Sequence, residues 1–200
     1  MRAFFNYYKW HILFFALFVI CITAFALSSC QKSEADLKIT CISTEYVNVQ
    51  TFNDTKNDLE EFLHDSDGDN KKTATLSSHT VDKQSDLDEV AEVLCTSEDC
   101  DIVITTKATF ERFEKKDIFD TSTNYVRDTG TGKYEVLKDE QGRVYAVSIE
   151  GNEYLKNMGF LNTTDLYLAV VIEDSDSDNL PSTKKNARNI AQVIIKERDV

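Results

Sequence analysis

Three short apolar runs, each followed by a stretch with helical spacing, constrain this chain more than any other feature. Leu37–Ile42 is β-branched and bounded by polar residues, Thr73–Val81 alternates, and Asp101–Thr105 is a compact apolar run. Between and after them, Phe52, Leu59, Phe62 and Leu63 fall on one face of a helix over 53–64. Leu87, Val90, Ala91 and Leu94 follow a capping-box signal at Ser85–Asp88, and Phe110 and Phe113 face inward on a helix over 108–116. Strands joined by crossovers this long pair in parallel, because an antiparallel neighbour needs only a short turn. The chain is therefore expected to be α/β. Beyond a polar stretch at 121–132, Tyr134–Leu137 and Val144–Ile149 flank a turn at Asp139–Arg143 and read as a hairpin. A short helix over 152–158 closes at Gly159, Leu166–Ile172 is the strongest strand, and Ala187, Ile190, Ala191 and Ile194 share one face of a last helix over 183–197. The expectation is one domain over 37–198. It has a three-layer, mostly parallel five-stranded sheet with helices on both faces.

The first thirty residues form a separate signal. Arg2 and Lys9 are its only charges, residues 12–27 carry none, and Leu27-Ser28-Ser29-Cys30 follows at once. That is the pattern of a lipoprotein signal peptide over 1–29, with small residues where a peptidase must approach and a thiol at Cys30 to accept diacylglycerol. Two acyl chains, at roughly 0.8 kcal/mol per buried methylene, anchor stably where one is marginal. Residues 30–36 are then a lipidated cysteine and tether. The other reading is an uncleaved membrane anchor, for which Trp10–Leu27 is just long enough. In both, the domain faces away from the cytoplasm, because Arg2 and Lys9 stay inside.

The whole chain has a net charge of −13, with 22 basic and 35 acidic residues; without Arg2 and Lys9 the remainder stands at −15. Nucleic acid and anionic membrane faces are poor partners for such a surface. A hydrophobic content of 42% with 1 Pro excludes a disordered or collagen-like chain. Of the 5 cysteines, Cys21 lies in the leader and Cys30 is taken by lipid, leaving Cys41, Cys95 and Cys100. Cys95 and Cys100 are close enough in sequence for a short bridge in an oxidising compartment, or are small buried hydrophobes. His64 and His79 stand at no zinc-ligand spacing from a cysteine pair.

The exported cysteine, the three βα units, the segment Asp101-Ile102-Val103-Ile104 before a helix, and the strand Val144–Ile149 resemble the first lobe of a type II solute-binding protein. The start, with Tyr-Tyr-Lys-Trp-His at residues 7–11, resembles small surface lipoproteins of Gram-positive bacteria. The resemblance implies a membrane-anchored, non-catalytic envelope protein that captures a small molecule or docks on an envelope partner. Only 16 residues separate Ile149 from Leu166, too few for a second lobe, so a single lobe is implied.

Two places are candidate sites. Asp65, Asp67 and Asp69 supply carboxylates at positions 1, 3 and 5 of a sequence similar to a calcium loop, with the Lys71 carbonyl at position 7. Position 12 is Leu76 rather than Glu, and a strand follows, so the alternative is a solvated acidic turn. Calcium is the candidate cofactor, and a calcium-stabilised structural or adhesive module is the alternative function. The acidic run Asp174–Asn179 reads as a solvated loop. The second place is the carboxyl end of the sheet, where open α/β folds bind ligands: Thr44 and Glu45 after the first strand, Thr105 and Thr106 at the end of the third. Those hydroxyls equally suit helix caps. For catalysis, with His64 in the acidic turn and His79 on a strand no triad can be read off, the 6 glycines make no phosphate loop, and Glu60, Glu61, Glu111 and Glu114 fall on outward helix faces.

Overall fold

The computed structural model describes residues 14–20, 22, 34–96, 100–113, 118–121, 134–172 and 182–196, with backbone alone at 84 and 94–96. The chain divides into two units, Met1–Glu34 and Ala35–Val200. In the first, residues 14–20 are helical, and Phe14, Phe15, Leu17, Phe18 and Ile20 are exposed. Among the described residues no helix is long and apolar enough to cross a membrane. Cys30, the run at 174–179 and all but Thr121 of the 121–132 stretch lie outside the described residues.

The second unit is an α/β fold on one open sheet. Its strands are β1 Leu37–Ser43, β2 Ala74–Thr80, β3 Ile102–Thr106, β4 Val136–Lys138, β5 Val144–Ser148 and β6 Leu166–Val170, in the order β2-β1-β3-β6-β5-β4. Its helices are α1 Val49–Thr55, α2 Asn57–Glu60, α3 Gln84–Thr96, α4 Lys107–Phe113, α5 Glu153–Asn157 and α6 Ser182–Lys196. The expected five-stranded, mostly parallel sheet is corrected to six strands in a mixed sheet. β1 pairs in parallel with β2 and β3, whereas β3–β6, β6–β5 and β5–β4 are antiparallel. β6 starts at the end where β5 stops, and the Ile149 N–H donates to the Leu166 carbonyl at 2.9 Å. The short β4 joins through the hairpin and adds the sixth strand.

Side chains alternate between two apolar layers, one on each face of the sheet. Leu37, Ile39 and Cys41 of β1, Ile102 and Ile104 of β3 and Leu168 of β6 pack with Phe52, Leu59 and Leu63 of the α1–α2 region and with Ile190 and Ile194 of α6. Ile42, Val103, Tyr167 and Ala169 pack on the other face with Leu87 and Ala91 of α3 and Phe110 and Phe113 of α4. Being covered on both faces, β3, β5 and β6 read as continuous apolar runs rather than alternating ones. On β5, Tyr145 and Ala146 lie on the same face because the register slips by one residue opposite Leu137 and Lys138.

Local chemistry sets the helix ends. Asn48 caps α1 by accepting the Gln50 and Thr51 N–H groups at 3.1 and 3.2 Å. The expected single helix over 53–64 is two pieces. The Thr55 hydroxyl bonds back to the Thr51 carbonyl at 2.9 Å, a contact that bends helices, and Phe62 emerges half-exposed rather than inward. The capping box at Ser85 is also corrected: α3 begins at Gln84, and the Ser85 hydroxyl bonds Asp86 at 3.0 Å. α6 meets its expectation, with Ala187, Ile190, Ala191 and Ile194 all buried. Each of its buried isoleucines contributes roughly 1.5–3 kcal/mol. Two of its charged side chains are tied as well: Lys184 bonds Asp101 and the Cys100 carbonyl, both at 3.1 Å, and Arg188 holds Asp120 through contacts of 2.5 and 3.1 Å.

Candidate functional site

The strand directions sort the candidate residues to opposite ends of the sheet. At the end where β1 and β2 begin, the acidic turn folds over a residue expected in the tether. Asp36, wholly buried, accepts the Ser66 N–H at 2.5 Å, the Ser66 hydroxyl at 2.6 Å and the Thr73 N–H at 2.9 Å. Asp65 accepts the N–H groups of Gly68 and Asn70 at 2.7 and 2.8 Å. Asp67 accepts from Asp69, and Asp69 from Lys71. Gly68 and Asn70 take positive φ values of 77° and 63°, which lets the turn close this tightly. Carboxylate oxygens of Asp36, Asp65 and Asp67 lie within 4.8 Å of one another. The turn thus brings together two of the three expected aspartates and replaces the third, Asp69, with Asp36. Nothing in the residues around Asp36 links it to a turn 30 positions away; only the fold does.

The other candidate place lies where β1 and β3 end. The two strands are parallel neighbours, Thr40 opposite Val103 and Cys41 opposite Ile104, so their carboxyl ends adjoin. Here the connection from β1 leads to β2 on one side, and the chain returns to place β3 on the other. Ser43 is buried and closes a local turn, its hydroxyl donating to the Glu45 carbonyl at 2.8 Å and accepting the Glu45 N–H at 3.2 Å. Thr44 and Glu45 are exposed beyond it. Thr106 meets the helix-cap reading: its hydroxyl shares a hydrogen bond with Thr109 Oγ1 at 3.1 Å and accepts the Thr109 N–H at 3.4 Å. Thr105 does not. It is 1% exposed, and its Oγ1 has no hydrogen-bond partner.

Because β6 runs antiparallel between β3 and β5, Tyr167 lies opposite both Thr105 and Ser148. The Ser148 N–H donates to the Glu135 carbonyl at 2.8 Å, which brings the Glu135 side chain to the same place. Its carboxylate holds the Lys107 ammonium at 2.5 Å and accepts the Tyr167 hydroxyl. Those contacts hold Glu135 below the usual carboxylate range and raise Lys107 above its ordinary value. Burial first, then the bond to Glu135, pushes the Tyr167 phenol up. Asp165, at the entry to β6 with φ 56°, is also raised, by burial and by the charges of Glu135, Glu150 and Glu111, against the opposing pull of Lys107. Sequence reasoning placed Thr105, Thr106 and Lys107 at this end of the sheet but missed Glu135, Glu150, Asp165 and Tyr167, which come from three further segments. Glu111 was expected on a solvated helix face. Glu60, expected there too, instead accepts the Ala74 N–H at 3.0 Å beside Lys56.

Cys41 and Cys100 are buried free thiols. Of the expected alternatives for Cys100, the small buried hydrophobe is the one described. The Cys95 side chain lies outside the described residues. No family model, curated protein or solved structure matches the chain.

Proposed function

We propose that the chain is a lipid-anchored, outward-facing and non-catalytic lobe of the solute-binding type, which takes a small molecule at the carboxyl ends of β1 and β3. The observation that carries this reading is the reversal of strand order at that point, the place where open α/β sheets leave a crevice beyond their strands. The parallel half β2-β1-β3, with helices against both faces, supports a single lobe of that type. The leader pattern ending in Cys30 supports the anchor. Two measurements test the reading. Palmitate label is expected in the wild type and absent from Cys30→Ala, whose precursor stays uncleaved; normal processing of that variant removes the anchor. For the lobe, thermal melting of the full chain in nonionic detergent against amino acids, sugars, peptides and amines is expected to give at least one saturable rise. A ligand at a hundred times its dissociation constant adds about 2.7 kcal/mol. No rise across the panel counts against ligand capture.

A second reading, a calcium-stabilised surface module, is favoured by the approach of Asp36 to Asp65 and Asp67. Hard oxygen ligands at this spacing suit calcium, and without a bidentate Glu the affinity falls in the millimolar range. Calcium at 10 mM then raises the melting midpoint of the wild type and not of Asp67→Ala, while magnesium at equal ionic strength does neither. Equal rises with both cations mark simple charge screening.

A further inference from the structure

We propose that the solute taken at the carboxyl end is a small organic cation, one carrying an ammonium or guanidinium group. This rests on the ligand-capturing reading above and names its substrate class. Lys107 sits on Glu135 at 2.5 Å, and the Ile149 N–H bonds the Leu166 carbonyl at 2.9 Å and so sets Glu150 and Asp165 at the same end of the sheet. Asp165 feels the charges of Glu111, Glu135 and Glu150 against Lys107, the one cation among the described residues that acts on it. Among the described residues, Glu111, Glu150 and Asp165 have no ion-pair partner. The place already receives one ammonium and has carboxylate to spare for a second. An independent observation points the same way. Thr105 Oγ1, on the same sheet face as Tyr167 and directly opposite it, is buried without a partner, although buried hydroxyls are almost always hydrogen-bonded. A hydroxyl has acceptor lone pairs, and an ammonium is a donor only, so the pair is chemically matched. Among the described residues, an anionic solute would instead meet these carboxylates and a single lysine.

The test uses the full chain in nonionic detergent at fixed ionic strength, titrated calorimetrically with 1,5-diaminopentane and with glutarate, its five-carbon dianionic counterpart. The diamine is expected to bind saturably and glutarate not at all. Glu150→Gln combined with Asp165→Asn is expected to weaken the diamine at least tenfold. Asn tolerates the positive φ of residue 165 as Asp does, so the backbone is kept. Thr105→Val is expected to weaken binding several-fold while leaving the ligand-free melting midpoint unchanged or higher, an outcome that a purely structural hydroxyl does not give. A lysine-containing acetylated tripeptide that competes with the diamine, and binds more tightly, supports the same chemistry with a protein side chain as its source. Binding of the diamine that is unaltered in the double variant, or matched by sodium chloride, overturns the proposal. If glutarate or an uncharged solute binds and Thr105→Val weakens it, the cation class falls and the carboxyl-end site stands. If no solute binds, both fall.

Discussion

Gly159 shows how one residue couples two distant segments. Its φ is 101°, and a Cβ there would stand 2.4 Å from the Asn48 carbonyl oxygen, on the residue that caps α1. The Asn48 N–H donates to the Gly159 carbonyl at 2.9 Å, and Val47 bridges Phe160. The glycine reads in sequence as a helix stop, and it also permits this close backbone approach. Gly159→Ala is expected to destabilise the domain by about 1–3 kcal/mol, from strain at positive φ plus the displaced contact. Urea unfolding checks it: a fall of that size with an unchanged slope is the expected result, and an unaltered midpoint means that the approach is not required.

At the scale of elements, α6 is held by its apolar face and by charged side chains that reach past it. The amphipathic spacing of Ala187, Ile190, Ala191 and Ile194 was legible because helical periodicity is a property of consecutive residues. The partners of its polar residues were not. Asn186 donates to the Asp36 carbonyl at 3.1 Å and the His64 carbonyl at 2.8 Å and accepts the His64 N–H at 2.8 Å, tying α6 to the acidic turn. Arg188 pairs with Asp120, whose side chain is 3% exposed. Removing the cation leaves a buried carboxylate without its main counter-charge. Arg188→Met is therefore expected to cost about 3 kcal/mol, measured as a lower urea midpoint. A loss below about 0.5 kcal/mol would place this pair with exposed ion pairs.

For the whole molecule, the two thiols set a pH dependence. Burial pushes Cys41 up to about 12 and Cys100 up to about 11, from an ordinary 9.0, with the bond to Ser43 opposing it at Cys41. A raised value in the folded state means that folding favours the protonated thiol. Its contribution is complete below about pH 9 and is lost as pH rises, up to about 11 for Cys100 and about 12 for Cys41. Each thiol adds a slope of ~1.4 kcal/mol per pH unit in that window. Urea midpoints at pH 8, 9.5 and 10.5 are expected to fall, and Cys41→Ala is expected to fall less steeply than the wild type. Parallel lines for the two proteins would show that Cys41 does not ionise differently in the folded and unfolded chain.

The α/β class, the strand-like runs and the apolar face of α6 were set by local pattern, whereas the count of strands in one sheet and the break between α1 and α2 were not. Strand-like runs, helical spacing and turn residues act over a few positions, and a long crossover forces parallel pairing of β1, β2 and β3. The tertiary structure alone decided that β6 lies antiparallel between β3 and β5, since a connection of this length permits either direction and packing chooses between them. That placement sets Tyr167 across from Thr105 and Ser148, beside the Lys107–Glu135 pair whose charges reach Asp165. Asp36 reaches the acidic turn for the same reason: hydrogen-bond partners 30 residues apart are chosen by packing, and no spacing rule along a chain encodes them.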